Sequence, residues 1–159
     1  MSKSNGVKRI ALVASKGTLD MAYPPLILAS TAVSMDWEAG IFFTFYGLDI
    51  IKRAKLDHLK VPSLANPAMP VPVPNIIGAL PGMTAMATMM MKNWIKKANV
   101  ATIPDLLNIC REGDVRLIGC QMTMDLMGVR KEELIDGIEV GGAATFLEYA
   151  SEADVSLFI

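Results

Sequence analysis

A chain of 159 residues is long enough to bury a core and too short for two ordinary domains. Its 52% hydrophobic content excludes a disordered chain, and 15 Lys and Arg against 16 Asp and Glu leave no net field to draw it to nucleic acid. One histidine, His58, far in sequence from the two cysteines, Cys110 and Cys120, argues against a zinc site built from Cys and His, and two cysteines are too few for a disulfide framework, so stability must come from packing.

The polar start MSKSNGVKR and the short apolar run behind it, leading to SKGT, do not read as a signal peptide, so a cytoplasmic protein with reduced thiols is expected. Lys8–Ser15 reads as a buried strand ending in a tight turn. Asp20–Met35 reads as a helix with Pro24 and Pro25 in its first turns, and Trp37–Gly47 as a second strand. Leu48–Leu59 is polar and lysine-bearing, which suggests a short surface helix and loop. Val61–Met91 carries no charged residue but is interrupted by Pro62, Pro67, Pro70, Pro72, Pro74 and Pro81. Its clean part, Ile76–Met91, falls short of the roughly 18 residues of a membrane span, so a span is not favoured.

Thr84–Ala98 reads as a methionine-rich helix. Thr102 looks like the N-cap of the next helix, with Pro104 and Asp105 in its first turn, Arg111 near its end and Gly113 as its stop. Val115–Cys120 is a third strand, Met122–Met127 a short helix closed by Gly128, and Arg130–Ile135 another helical turn or two. Ile138–Val140 is a fourth strand, Gly141-Gly142 opens a helix to Ser151, and Asp154–Ile159 is a fifth strand. Short apolar strands alternating with helices predict an α/β protein: a three-layer α/β/α sandwich with a mostly parallel sheet of about five strands.

Ligands of such sheets bind outside the carboxyl ends of the strands. Those ends read Ser15-Lys16-Gly17-Thr18, Tyr46-Gly47, Cys120-Gln121 and Gly141-Gly142, and Cys120 is the strong nucleophile among them. The helix behind Cys120 would aim free N–H groups at its sulfur and favour thiolate, although free cysteine is also among the most buried residue types. Cys110 lies on the preceding helix beside Leu106 and Ile109, a core or interface position and the secondary candidate. That helix ends at the opposite sheet edge from Cys120, roughly 16 Å away along a five-residue strand. A disulfide needs Cα atoms within about 7 Å, so an intrachain bridge is disfavoured. Lys16, with Gly17, could hold an anion or steady a thiolate but lacks the P-loop pattern, a solvated surface lysine being the alternative; Gly141-Gly142 could let a ligand approach the backbone or form a simple turn, and Gln121 is a further candidate for substrate binding. His58, flanked by Asp57, reads as a surface residue, which leaves no Cys–His or Ser–His triad.

VRLIGCQMTMDLMGV, with the opening RIALVASKGTLD and the closing GGAATFLEYASEADVSLFI, resembles the DsrE/DsrF/DsrH-like family of small sulfur-trafficking proteins, in its peroxiredoxin-like or sulfurtransferase branch. The likeness runs over almost the whole chain and implies one domain over 1–159 with a Pro/Met-rich excursion at 61–91. It implies an α/β/α sandwich in homo- or hetero-oligomers. Cys120 would accept sulfane sulfur or thiosulfate and pass it to TusA-like or rhodanese-like partners, and Cys110 would match the branch's earlier cysteine. Persulfide chemistry of this kind requires no metal, flavin or nucleotide. The alternative is a non-catalytic oligomeric or membrane-associated binding subunit with a buried Cys120. A thiol peroxidase is disfavoured, because the P-x-x-x-T/S-x-x-C pattern of peroxiredoxins is absent.

The charge-free, proline- and methionine-rich stretch is expected to make a subunit or partner contact, since large apolar patches mark interaction surfaces. Size-exclusion chromatography with light scattering should find a dimer or larger species without detergent. A monodisperse monomer in plain buffer would count against that interface, and recovery only from detergent-solubilised membranes would favour a span.

Overall fold

The structure is a computed structural model that describes residues 6–62 and 80–159. Most of the proline-rich stretch therefore lies outside the described residues. Strand β1 (Arg9–Ala14) leads through the SKGT turn into helix α1 (Leu19–Ser34) and strand β2 (Glu38–Phe43). Two 3-10 segments follow, Phe45–Ile51 and Arg53–Lys55. Helices α2 (Met83–Lys97) and α3 (Ile103–Glu112) precede strand β3 (Arg116–Cys120) and helix α4 (Gln121–Met127). A 3-10 turn (Lys131–Glu133), strand β4 (Glu139–Gly141), helix α5 (Ala143–Ala150) and strand β5 (Val155–Phe158) complete the order.

All neighbouring strands pair in parallel in one five-stranded sheet of order β4-β3-β2-β1-β5. Side chains alternate across a strand, so β1 serves two layers. Ile10, Leu12 and Ala14 join the core under α1 and α3, while Ala11 packs on the other face with Phe42, Ile118 and Phe146 of α5. The Phe42 and Phe146 rings stack with centroids 5.1 Å apart. Helices thus cover both faces, and the expected α/β/α sandwich is present.

The helices form where their apolar stripes and caps allow. In α1 the buried residues Leu19, Ala22, Leu26, Ala29 and Ala32 recur every three or four positions. Pro24 and Pro25 sit beyond the first turn and are carried within the helix, where Pro25 is itself buried. In α3, Ile103, Leu106, Leu107 and Cys110 make the inward stripe. Thr102 and Asp105 close a reciprocal capping box: the Thr102 N–H donates to Asp105 Oδ2 at 3.1 Å, and the Asp105 N–H donates to Thr102 Oγ1 at 3.3 Å.

One expected element is corrected. The stretch after β2 is not a surface helix, because Leu48, Ile50 and Ile51 are fully buried in the main core while Arg53, Ala54, Lys55, Asp57 and His58 face water. The second strand is also shorter than its aromatic run suggests. It ends at Phe43, and Phe45 and Tyr46 turn outward into the first 3-10 segment.

Two contacts lock the layers. At the amino ends of the strands, Arg9 pairs with Glu38 and Glu152, and Arg116 pairs with both oxygens of Glu139 at 2.7 and 2.8 Å. Both guanidiniums lie over the Tyr149 ring of α5, at 4.8 and 5.6 Å from its centroid. Gly40 leaves the space that this ring occupies. At the carboxyl ends, a Cβ on Gly47 would overlap the Ala14 carbonyl, so a glycine is required where the 3-10 segment crosses β1. Gly47→Ala should therefore destabilise the protein by about 1–3 kcal/mol, read as a lower urea midpoint. An unchanged midpoint would contradict this tight crossing.

Candidate functional site

The carboxyl ends of β3, β2 and β4 gather the candidate residues. Cys120 is both the last residue of β3 and the N-cap of α4, with φ −68 and ψ 113. Phe43 pairs with Gly119 in the parallel register, so the next residue, Thr44, falls beside Cys120. On the other flank Cys120 pairs directly with Gly141. Above it, the first turn of α4 brings in Thr123, which is fully buried. The Thr123 and Thr44 hydroxyl oxygens are 3.2 Å apart, and the Phe45 N–H donates to Thr123 Oγ1 at 3.1 Å.

This setting acts on the sulfur in two opposed ways. Burial pushes the Cys120 thiol up, as removal of water disfavours the thiolate. Hydrogen bonding from the Thr123 side chain and N–H, the Thr44 hydroxyl and the Met122 N–H outweighs that, and the pKa lies below the ordinary thiol value. The sulfur closes no full capping bond at the helix start. These donors are loose partners of a thiol and become stronger partners of a thiolate. Cys120 is only 3% exposed and packs with Ala11, Phe42, Ile118 and Phe146.

Cys110 lies in the opposite environment. It is fully buried in the core under α1 and α3, with its thiol 3.9 Å from the Leu26 carbonyl, and burial alone pushes its pKa up to about 11. The Val115 N–H donates to the Cys110 carbonyl at 2.8 Å, so Cys110 stands at the amino edge of β3 while Cys120 stands at its carboxyl edge. The two also belong to cores on different faces of the sheet, and both are free thiols. The separation expected between them is present.

The remaining candidates divide. Gly141 is brought against Cys120, and Gly142 caps α5 with open space where a Cβ would stand. Gln121 is adjacent and exposed, but its amide donates to Asp125 at 2.7 Å. Lys16 and Gly17 are two strands away, about 10 Å at the usual strand spacing. They line a separate cavity of about 400 Å³ with Thr18, Tyr46 and Asp49. The Asp49 carboxylate there already holds Lys52 and Lys55. His58 is exposed in a turn. Thr44 and Thr123 escaped the sequence reading; the available signal was the C-x-x-T spacing across a strand-to-helix junction, which puts a hydroxyl at the third helical position behind an N-cap cysteine.

Among the described residues no group of three His, Cys, Asp or Glu stands together as metal ligands, and no helix is long and apolar enough to cross a membrane. Residues 6–158 match the model of the DsrE/DsrF/DrsH-like family. The chain belongs to that family. It is 49% identical over 158 residues to sulfur carrier protein DsrE2 of Allochromatium vinosum, a match covering 96% of this chain and 98% of that protein. It is 35% identical over 155 residues to the uncharacterized protein YrkE of Bacillus subtilis, covering 96% and 97%. The crystal structure of the ychN protein from E. coli superposes with a TM-score of 0.58 at 16% identity, over 96% of this chain and all of that one, a likeness of fold alone.

The two thiols should separate by reactivity. Site-resolved alkylation of the native protein is expected to modify Cys120 with a pH midpoint below that of a free thiol. Cys110 should stay unmodified until the pH approaches about 11 or the protein unfolds. Oxidation should give no stoichiometric intrachain bridge, and peptide mapping of a full Cys110–Cys120 disulfide would refute the placement.

Proposed function

We propose that this protein is a sulfur carrier or sulfurtransferase that takes sulfane sulfur on Cys120 and hands it to a partner protein. The observation that carries the reading is the cysteine at the carboxyl end of β3, among hydroxyl and backbone donors that hold its pKa down. The 49% identity to a protein named as a sulfur carrier supports it. In the step this implies, the Cys120 thiolate attacks the outer sulfur of a donor persulfide. The donor's S–S bond breaks, the donor thiolate leaves, and Cys120 becomes a persulfide with no net oxidation. Thiosulfate would react likewise, with sulfite as the leaving group. An acceptor thiolate then removes the outer sulfur by the same exchange.

The partners fitting this chemistry present a cysteine of their own, as TusA-like and rhodanese-like proteins do. A reducing cytoplasm suits such a carrier, since it keeps competing disulfides open. A homo-oligomer fits the exposed side chains of Met86 and Met89 on α2. Cys110 has no part in the exchange, because its buried thiol stays protonated at neutral pH. One domain over 1–159 carries the whole function in this reading.

A second reading has one observation in its favour. Cys120 is 3% exposed, as a core residue of a non-catalytic binding subunit would be. Loading separates the two. After incubation with polysulfide, intact mass should rise by one or more sulfur atoms, and peptide mapping should place them on Cys120. Cys120→Ser should abolish the gain. Equal loading of Cys120→Ser, or a wild-type protein that neither loads nor alkylates in the folded state, would favour the buried, non-catalytic subunit.

A further inference from the structure

Thr123 is a fully buried polar side chain, and its hydrogen bonds can be accounted for one proton at a time. Its oxygen accepts the Phe45 N–H at 3.1 Å and lies 3.2 Å from the Thr44 hydroxyl. Two hydroxyl protons are therefore available for one Thr–Thr bond. If Thr44 donates to Thr123, the Thr123 proton remains to be placed. If Thr123 donates to Thr44, the Thr44 proton remains. Either way one hydroxyl proton is left over, and the candidate acceptor is the Cys120 sulfur, which the strand register sets beside Thr44 and the N-cap position sets at the first turn of α4 that carries Thr123.

A second observation bears on the same spot. Phe45 has φ +47, a left-handed conformation that a bulky residue rarely adopts, and its N–H is tied to Thr123 Oγ1. The strained turn thus aims a backbone donor at Thr123, which occupies one of its two acceptor lone pairs and turns its oxygen toward β2. Resting on the sulfur-carrier reading, we propose that Thr123, supported by Thr44, is the positioning residue of the sulfur site, directing a hydroxyl proton at the Cys120 sulfur and so favouring the thiolate that receives sulfur.

The charged and titratable groups on the surrounding elements are engaged elsewhere. Asp125 on α4 accepts from Gln121, and Asp49 in the 3-10 segment holds Lys52 and Lys55. Arg116 on β3 and Glu139 on β4 pair with each other, and Tyr149 on α5 lies under Arg9 and Arg116 at the other sheet edge. Tyr46 points outward, and Glu148 is exposed on α5. The leading influences on the Cys120 thiol are burial and hydrogen bonds rather than these charges, with the Thr123 side chain first among the groups that lower its pKa. Thr123 does not exchange sulfur itself; it acts through Cys120.

The test is the pH profile of Cys120 alkylation with iodoacetamide, resolved by peptide mass, in the full-length chain. Thr123→Val should raise the Cys120 midpoint by about one to two pH units, as loss of a hydrogen bond to a charged group would. Polysulfide loading at a pH below the wild-type midpoint should slow by about threefold to tenfold, because the thiolate fraction falls while the higher pKa makes the remaining thiolate more nucleophilic. Thr123→Ser, which restores the hydroxyl, should return both values toward wild type. Thr44→Val should raise the midpoint by less, since Thr123 keeps its own proton, and the double variant should exceed the sum of the two. A folded Thr123→Val protein with an unmoved midpoint would overturn the proposal, as would a Thr123→Ser protein as impaired as Thr123→Val. Should Thr123→Val fail to fold, Thr123→Ala and Thr44→Val are read in its place, and an unmoved midpoint in the folded member of that pair overturns it equally. An unmoved midpoint in a protein whose loading still requires Cys120 removes this role of Thr123 and leaves the carrier reading standing. Loading without Cys120 removes the carrier reading itself.

Discussion

The structure depends on parallel backbone pairing. Because β1 to β5 all run the same way, every strand delivers its last residue to one edge and its first residue to the other. That edge-to-edge asymmetry has a physical consequence. The amino edge is closed by charge, through Arg9 and Arg116 clamping Tyr149 between glutamates. The carboxyl edge is closed by turns that are short and polar at Cys120 and glycine-tight at Gly47. At the carboxyl edge, a strand-to-helix turn exposes backbone donors to whatever residue ends the strand.

The two cysteines make the role of environment plain, since the residue type is the same. Cys110 loses water and gains nothing but a distant carbonyl, so its thiol is driven up to about 11. Cys120 loses water too, yet it gains hydroxyl and backbone donors, and the balance reverses. Two things differ between them: burial weighs more heavily on Cys110, and only Cys120 has hydrogen-bond donors within reach of its sulfur. The placement of Thr44 by β2 and of Thr123 by α4 supplies those donors, so the chemistry at Cys120 is a property of three elements converging.

The buried hydroxyl of Tyr149 shows the same balance with the opposite outcome. It finds no hydrogen-bond partner among the described residues, and burial raises its pKa to about 12 although Arg9 and Arg116 lower it. What the ring gains in return is position. It fills the space left by Gly40 and fixes α5, whose other end carries Gly142 to the edge where Cys120 lies. Membership of the DsrE/DsrF/DrsH-like family and the likeness in fold to the ychN protein agree with this layered plan.

Much of the plan was legible in the sequence because it rests on local signals. Short apolar runs such as RIALVA, bounded by a turn, read as buried strands, Thr102 and Asp105 cap a helix through each other's side chains and N–H groups, and the alternation of strands and helices points to a parallel sheet. The cysteine at a strand end and its separation from Cys110 follow from the same local logic. The tertiary structure decided what depends on neighbours distant in the chain. Leu48, Ile50 and Ile51 lie in a segment that reads as polar, and they are core only because β2 ends early and turns the chain inward across β1. Thr44 and Thr123 are 79 residues apart, and no spacing rule joins them. Their meeting over one sulfur is fixed by strand register, a long-range quantity that composition and periodicity do not encode.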